Sequence, residues 1–251
     1  MSEKPKAPSE SAETRWEKWQ REGPRPGNRS VDAATVALLR DAQGGLESLM
    51  LRRNSKLDFA GGMWVFPGGK VDSGDRSGLE AGDPLAPARR AAVREAREEA
   101  DIEVAEASLV PFSHWTPPPV APRQFLTWFF LAPAPDAAVS IDHGEIHDHA
   151  WLRPADALAR RDRREIELAP PTWVSLNWLR GFERVSDALA AARSREPERF
   201  ATRIVKLPAG VAALWQGDAG YERGDPDAPG GRHRLYMRDD GWRYERTSAP
   251  D

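Results

Sequence analysis

The sequence contains no cysteine among its 251 residues. Disulfide-stabilised secreted folds, thiolate metal sites and cysteine nucleophiles are therefore excluded. Long apolar runs are also missing, because the longest, residues 125–134, is far shorter than the roughly 20 residues of a membrane-spanning helix. The first 27 residues are polar and lack the apolar stretch of a signal peptide. We therefore expect a cytoplasmic protein that does not associate with membranes.

Neither sign of charge is in large excess, because 36 basic residues oppose 39 acidic ones and the net charge is −3. Proteins that bind nucleic acids through the phosphates carry a basic excess, so we expect no nucleic-acid partner. Hydrophobic residues make up 40% of the chain and charged residues 30%, as in ordinary globular proteins. A chain of this length can bury one core with an extension, whereas a second full domain would be cramped.

Hydrophobic periodicity and turn residues divide the chain into three parts. Residues 1–28 are expected to form a flexible tail with one short helix around two tryptophans. Residues 29–160 alternate strand-like and helical segments, which favours a layered α/β sandwich with a mixed sheet. Residues 161–251 are expected to form a mainly helical extension on the same domain, ending in a hairpin over residues 234–246.

Local patterns predict the elements of the α/β part. They are a hairpin over 32–40 and 46–53, a short strand over 63–66, a loop over 71–87, a helix over 87–100, and strands over 102–110, 124–131 and up to residue 152. Pro67 is expected to end the short strand, since proline cannot donate to a β-ladder. The glycines that follow it permit a tight turn before the helix.

Three glutamates lie on one side of the predicted helix. At about 100° per residue, Glu95, Glu98 and Glu99 fall within an arc of about 100°, beside the apolar arc that faces the sheet. Carboxylates this close repel one another and weaken a helix unless something binds them. One explanation is a solvated helix of mixed charge. The other is a hard divalent cation such as Mg²⁺, which takes carboxylate oxygens together with substrate phosphates.

A glycine-rich turn upstream favours the cation. The segment Phe66-Pro67-Gly68-Gly69, followed by Arg94-Glu95-Ala96-Arg97-Glu98-Glu99, resembles the signature of the Nudix hydrolase family. That signature is Gly, five residues, Glu, seven residues, then Arg-Glu-apolar-x-Glu-Glu-x-Gly-apolar. The likeness covers about residues 30–160 and implies a Nudix α/β/α sandwich with a mixed sheet. The residues that match outright are Gly69, Arg94, Glu95, Glu98, Glu99 and Ile102.

Three positions depart from the Nudix signature. Asp75 stands where the family has glutamate, and Asp101 replaces the glycine after the helix. Residues 76–93 are 18 where the signature has seven, an insertion of 11. The insertion leaves Glu80 and Asp83 as alternatives to Asp75 at the site. It does not disturb the spacing among the helix glutamates.

The resemblance implies hydrolysis of a diphosphate bond with Mg²⁺ or Mn²⁺ as cofactor, the metal polarising phosphoryl oxygens and lowering the pKa of bound water. By resemblance, Glu98 and Glu99 would be the main metal ligands. Glu95 would be a further ligand or the base that takes the proton from water. Arg94 would orient the glutamates through charge-assisted hydrogen bonds. Gly69 is a candidate for a backbone carbonyl ligand.

Residues outside the signature add candidates for metal and substrate binding. Glu145, six residues before Trp151, occupies the place of a further family carboxylate, although an ordinary loop acid would look the same. Arg52, Arg53 and Arg123 are candidates for binding substrate phosphates, with plain surface charge as the alternative. The expected partner is a small-molecule diphosphate, and the resemblance also allows a homodimer.

Looser similarities bear on the substrate. Residues 49–52 with Gly62 partly resemble the signature of coenzyme A diphosphatases in the family, which has an arginine where this sequence has Asp58. His114-Trp115-Thr116-Pro117-Pro118, with residues 123–130, is similar to the longer acyl-coenzyme A diphosphatase members. Coenzyme A or acyl-coenzyme A is therefore the first expectation. NADH, ADP-ribose or another dinucleotide or nucleotide sugar is the alternative, and a non-catalytic nucleotide- or protein-binding module is the alternative of another class.

Overall fold

An eight-stranded mixed sheet forms the centre of the protein in the computed structural model, which describes residues 11–24, 29–57, 60–79, 83 and 85–247. Its strands are β1 (Val31–Ala42), β2 (Gly45–Arg53), β3 (Trp64–Val65), β4 (Gly68–Lys70), β5 (Val110–Thr116), β6 (Phe125–Pro133), β7 (Ile146–Leu152) and β8 (Glu198–Ala201). The main path is β3-β2-β1-β6-β5-β8, while β4 pairs with β1 and β7 with β2.

The remaining elements are six helices and a smaller sheet within the described residues. The helices are α1 (Ala12–Glu22), α2 (Ser73–Arg76), α3 (Ala86–Ala100), α4 (Pro154–Asp162), α5 (Pro170–Leu179) and α6 (Val185–Arg193). The four strands of the smaller antiparallel sheet are β9 (Arg203–Lys206), β10 (Val211–Leu214), β11 (Arg232–Arg238) and β12 (Gly241–Thr247).

The central strand β1 explains the layering of the fold. It pairs antiparallel with β2, which confirms the predicted hairpin, and parallel with β6 from Val31 opposite Phe125 to Leu39 opposite Pro133. Seven consecutive residues of β1 are buried, because both faces of the strand are covered. Helix α3 covers one face through its alanines, and α4 to α6 pack into the hydrophobic core on the other face. The α/β/α sandwich with a mixed sheet is thereby confirmed.

Two local predictions in this part were wrong. Residues 102–110 do not form a strand: they contain a 3₁₀ turn at Glu106–Ser108, and β5 begins only at Val110. Their apolar side chains pack in the layer with α3, so the alternation reflects burial against a helix and not β-pairing. The glycines after Pro67 were expected to form only a tight turn, yet Gly68 to Lys70 pair with Thr35 to Ala33 of β1 as a short strand; β3 itself ends before Pro67, as predicted.

The C-terminal extension is only partly helical. The prediction holds for α5 and α6, but the residues after Arg193 form five strands. The first of these, β8, extends the central sheet by pairing parallel with β5. The others form the smaller sheet, whose β11–β12 hairpin confirms the predicted one. Strand β8 depends on a partner distant in sequence, and β8, β9 and β10 are only four residues long, so local periodicity does not indicate these three strands.

The N-terminal part contains the predicted short helix, α1, which begins after the capping residue Ser11. Trp16 packs against the main core, so this segment is held on the body of the protein. The expectation of a flexible tail falls partly on residues 1–10 and 25–28, which lie outside the described residues. In the part of the chain that the structure describes, no helix has the length and apolar character needed to cross a membrane.

Candidate active site

The site begins where the second half of α3 lies against β4. The backbone N–H of Gly68 donates to Glu99 Oε2 at 3.0 Å, which joins strand and helix. A Cβ on Gly68 would lie 2.5 Å from the carbonyl oxygen of Ala34 and 2.6 Å from Thr35 Cβ, so only glycine fits. A Cβ on Gly69 would overlap the carboxylate of Glu95. The two glycines therefore let the helix glutamates reach the strand backbone.

Arg94 binds three acidic residues on one side of the site. Its Nη1 donates to Glu95 Oε1 at 2.8 Å and to Glu98 Oε2 at 2.9 Å. Its Nη2 donates to the Lys70 carbonyl oxygen at 2.8 Å and to Asp75 Oδ2 at 3.0 Å. One guanidinium thus holds three carboxylates and ties α3 to the end of β4. This is the orienting role that the resemblance implies for Arg94.

Asp75 occupies a defined place beside Arg94 in spite of its shorter side chain. It is buried, accepts from Arg94 Nε at 3.2 Å, and accepts from the backbone N–H of Asp72 at 2.8 Å in a capping box on α2. The hydrogen bonds and charge of Arg94 hold the pKa of Asp75 below its usual range although burial opposes them. Of the two alternatives in the insertion, Asp83 is paired with Arg89 and Glu80 lies outside the described residues.

A second guanidinium, that of Arg53, connects α3 to the β6–β7 connection on the opposite side of the site. Arg53, the last residue of β2, places Nη1 3.5 Å from Glu99 Oε1 and donates from Nη2 to Glu145 Oε2 at 3.1 Å. The structure therefore brings Glu145, on the β6–β7 connection, to the helix glutamates, as its predicted role requires. Arg53 contacts carboxylates here, whereas the sequence suggested substrate phosphates.

Two residues that the sequence analysis did not single out fix the loop of Glu145. The backbone N–H of Asn54 donates to the Glu145 carbonyl oxygen at 2.7 Å, and Asn54 Nδ2 donates to the Gly144 carbonyl oxygen at 3.0 Å. Asp142 accepts from the backbone N–H groups of Glu145 and Ile146 at 2.8 and 2.9 Å. Asp142 followed by His143-Gly144 is a turn pattern that could have indicated this.

The electrostatics of the site are those of a desolvated acidic cluster. Burial raises the pKa of Glu99 to about 8, despite the hydrogen bond from Gly68 and the charge of Arg53. Burial likewise raises the pKa of Glu95, which the hydrogen bond and charge of Arg94 only partly offset. The pKa of Arg94 is raised by its hydrogen bonds to the carboxylates, Asp75 first among them. The two arginines therefore do not fully offset the cost of burying Glu95 and Glu99 in their ionised form.

This shortage of positive charge beside the buried glutamates bears on whether the site can hold a divalent cation. Within the described residues, no three or more histidine, aspartate or glutamate side chains converge as metal ligands, and two arginines bind the glutamates instead. Yet five carboxylates share two guanidinium groups, and the most buried of them, Glu99, faces the largest desolvation cost. All the candidate donors are hard oxygens, which suits Mg²⁺ or Mn²⁺. The residues therefore fit such an ion.

The other predicted residues lie elsewhere. Arg52 lies on β2, where it stands opposite Trp64 of β3 and Asp148 of β7. Arg123 lies in the loop before β6, next to Gln124, whose carbonyl oxygen accepts from the backbone N–H of Val31 at the start of β1. The binding of substrate by either residue stays a prediction.

Trp115, which belongs to the segment similar to the longer acyl-coenzyme A diphosphatase members, is packed in the core. It is buried in β5, and its ring stacks on that of Phe200 of β8 at 3.9 Å between centroids. Trp215 meets the Trp115 ring edge-on at 5.6 Å. This aromatic group joins the central sheet to the extension, so Trp115 is a structural residue.

Comparisons with known proteins agree with this architecture. Residues 30–174, more than half of the chain, match the family model described as the NUDIX domain. A NUDIX hydrolase from Alicyclobacillus acidocaldarius superposes with a TM-score of 0.57 at 23% identity, covering 65% of this chain and 96% of that one. A MutT NUDIX hydrolase from Burkholderia pseudomallei gives a TM-score of 0.44 at 23% identity, covering 59% and 97%. No curated protein matches the sequence. The chain belongs to the Nudix family and is a hydrolase of diphosphate bonds.

Proposed function

We propose that this protein hydrolyses the diphosphate bond of coenzyme A or acyl-coenzyme A, with Mg²⁺ or Mn²⁺ as the cofactor. The observation that carries the metal dependence is the group of five carboxylates around two guanidinium groups. A bound divalent cation would supply the missing positive charge, polarise phosphoryl oxygens and acidify a water molecule.

The roles of the chain's own residues follow from their positions. Glu98 and Glu99 would hold the ion, because one is half exposed beside Arg94 and the other lies under the Gly68 N–H. Glu95, whose pKa burial raises, is suited to accept a proton from water or to act as a further ligand. Arg94 would keep Glu95 and Glu98 in reach, and Glu145 and the Gly69 carbonyl would complete the oxygen donors.

The substrate proposal rests on the sequence around the site. Residues 49–52 with Gly62 resemble the coenzyme A diphosphatase pattern, and the segment from His114 resembles the longer acyl-coenzyme A members. The position of the insertion supports a part in specificity, because it follows directly after α2, whose residue Asp75 binds Arg94. The insertion, which lies beside the carboxylates, can contact the part of the substrate beyond the diphosphate.

Product analysis tests the proposal. Coenzyme A, acyl-coenzyme A, NADH, ADP-ribose and a nucleoside triphosphate are each incubated with Mg²⁺ or Mn²⁺, with a chelator as control. We expect adenosine 3′,5′-bisphosphate and a phosphopantetheine product from the first two, at the highest kcat/KM. Faster cleavage of NADH or ADP-ribose would replace the substrate proposal. Nucleotide binding without cleavage of any compound would support a non-catalytic module and contradict the proposed reaction.

A further inference from the structure

The side chain of Arg53 makes a contact that the family signature does not contain. Its two terminal nitrogens point to different carboxylates, Glu99 of α3 and Glu145 of the β6–β7 connection, at 3.5 and 3.1 Å. These residues come from opposite sides of the site and are far apart in the chain. Both terminal nitrogens of Arg53 thus face carboxylates, and its side chain is only 17% exposed.

We infer that Arg53 is a positioning residue, which acts on the reaction by holding Glu99 and Glu145 in place and not by binding substrate phosphate. This inference rests on the proposed metal-dependent function. It differs from the expectation drawn from the sequence, in which Arg53 would contact the substrate directly.

The backbone of Arg53 is held in place by two hydrogen bonds. Its N–H donates to the Met63 carbonyl oxygen and its own carbonyl accepts from Gly62, both at 3.0 Å. The β2–β7 ladder shifts register between Arg52 and Arg53, so the guanidinium leaves the regular strand at a bulge. Bulges commonly aim a side chain into a functional site. The backbone from which the Arg53 guanidinium projects is therefore fixed by hydrogen bonds.

The two carboxylates need this anchor to different degrees. Glu99 has a second contact, from the Gly68 N–H. The backbone of Glu145 is fixed by Asn54 and Asp142, but its side chain is 60% exposed and forms an ion pair with Arg53. Loss of the guanidinium therefore releases the Glu145 carboxylate while leaving its loop intact. Residues that hold metal ligands from behind typically contribute 10- to 100-fold to metal affinity or activity.

Three variants of the full chain test the inference. Arg53→Met removes the charge, and Arg53→Lys keeps a charge that cannot bridge two carboxylates. Arg40→Met is the matched control, because Arg40 pairs with Glu47 on the same hairpin at 2.7 Å, outside the acidic cluster. Mn²⁺ affinity is measured without substrate, from the electron paramagnetic resonance signal of free Mn²⁺, and kcat and KM are measured at saturating Mn²⁺.

We expect Arg53→Met to weaken Mn²⁺ binding about 10-fold or more and to lower kcat, with KM near the wild-type value. Arg53→Lys should fall between Arg53→Met and the wild type, and Arg40→Met should equal the wild type. Wild-type Mn²⁺ affinity in Arg53→Met, together with a raised KM, would overturn the inference, since that is the behaviour of a phosphate-binding arginine. If Arg53→Met does not fold, wild-type Mn²⁺ affinity in Arg53→Lys overturns it equally.

A double-mutant cycle tests the link to Glu145. If Arg53 acts through this residue, Arg53→Met combined with Glu145→Gln should weaken Mn²⁺ binding less than the product of the two single effects. Independent, multiplying effects would contradict the bridge. Failure of the proposed function is recognised separately, because the wild-type protein would then neither bind Mn²⁺ nor cleave any diphosphate.

Discussion

Substituting Glu99 by glutamine should stabilise the metal-free protein at alkaline pH while removing its activity. The carboxyl group is only 6% exposed, and burial raises its pKa from 4.5 to about 8. Because the folded state holds the proton more tightly, the contribution of Glu99 to stability is fully present below pH 4.5 and is lost as pH rises towards 8. Across that window the decline attributable to Glu99 is on the order of 5 kcal/mol, from 1.36 kcal/mol per pKa unit.

Glutamine imitates the protonated carboxyl group, since its carbonyl oxygen can still accept from the Gly68 N–H. Urea unfolding in the presence of a chelator, repeated between pH 4.5 and 9, gives the difference in unfolding free energy between wild type and Glu99→Gln. The difference should grow with pH and level off above about 8. The matched control is Glu98→Gln, because the Glu98 side chain is 53% exposed on the same helix turn. A Glu99→Gln difference independent of pH would refute the desolvation argument.

Three further predictions concern other parts of the structure. Gly68→Ala should destabilise the fold by about 1–3 kcal/mol or more. Gly69→Ala should keep thermal stability and lose activity, because the Cβ added at position 69 meets the movable Glu95 carboxylate. Equal melting temperatures for the two variants would contradict this prediction. Asp218→Ala should cost about 3–5 kcal/mol in urea unfolding, because it leaves the buried Arg234 guanidinium without its carboxylate at 2.6 Å; an effect below about 1 kcal/mol would count against it. Mn²⁺ at 100 times its dissociation constant should stabilise the wild type by about 2.7 kcal/mol in calorimetry, and an unchanged melting temperature would argue against a metal site.

Sequence reasoning succeeded where the signal is local. The β1–β2 hairpin and helix α3 are specified by residues near one another, so period and turn chemistry are sufficient to find them. The same holds for the glutamates of the helix, whose shared side follows from their spacing. Even the capping of α2 by Asp75 follows a short-range pattern, although the insertion after it obscured its part in the site.

The missing parts of the prediction depend on contacts between distant residues. Arg53 and Glu145 are separated by 92 positions, and nothing in either segment indicates that they pair. The strand β8 likewise exists because β5 offers a free edge, and the short strands of the extension stabilise one another. Period alone also misidentified residues 102–110, because burial under α3 produces an alternation that β-pairing would produce too.

The central claim is that the α3 glutamates make diphosphate hydrolysis depend on a divalent cation. The most direct test is the initial rate of coenzyme A cleavage as Mg²⁺ is titrated, for the wild type and for Glu98→Gln. Glu98 is chosen because its side chain is half exposed, so that glutamine can replace it without disturbing the core. The account predicts no rate without Mg²⁺, saturation in the wild type, and a loss of about 100-fold or more in the variant. Wild-type rates in Glu98→Gln, or cleavage that persists in a chelator, would contradict it.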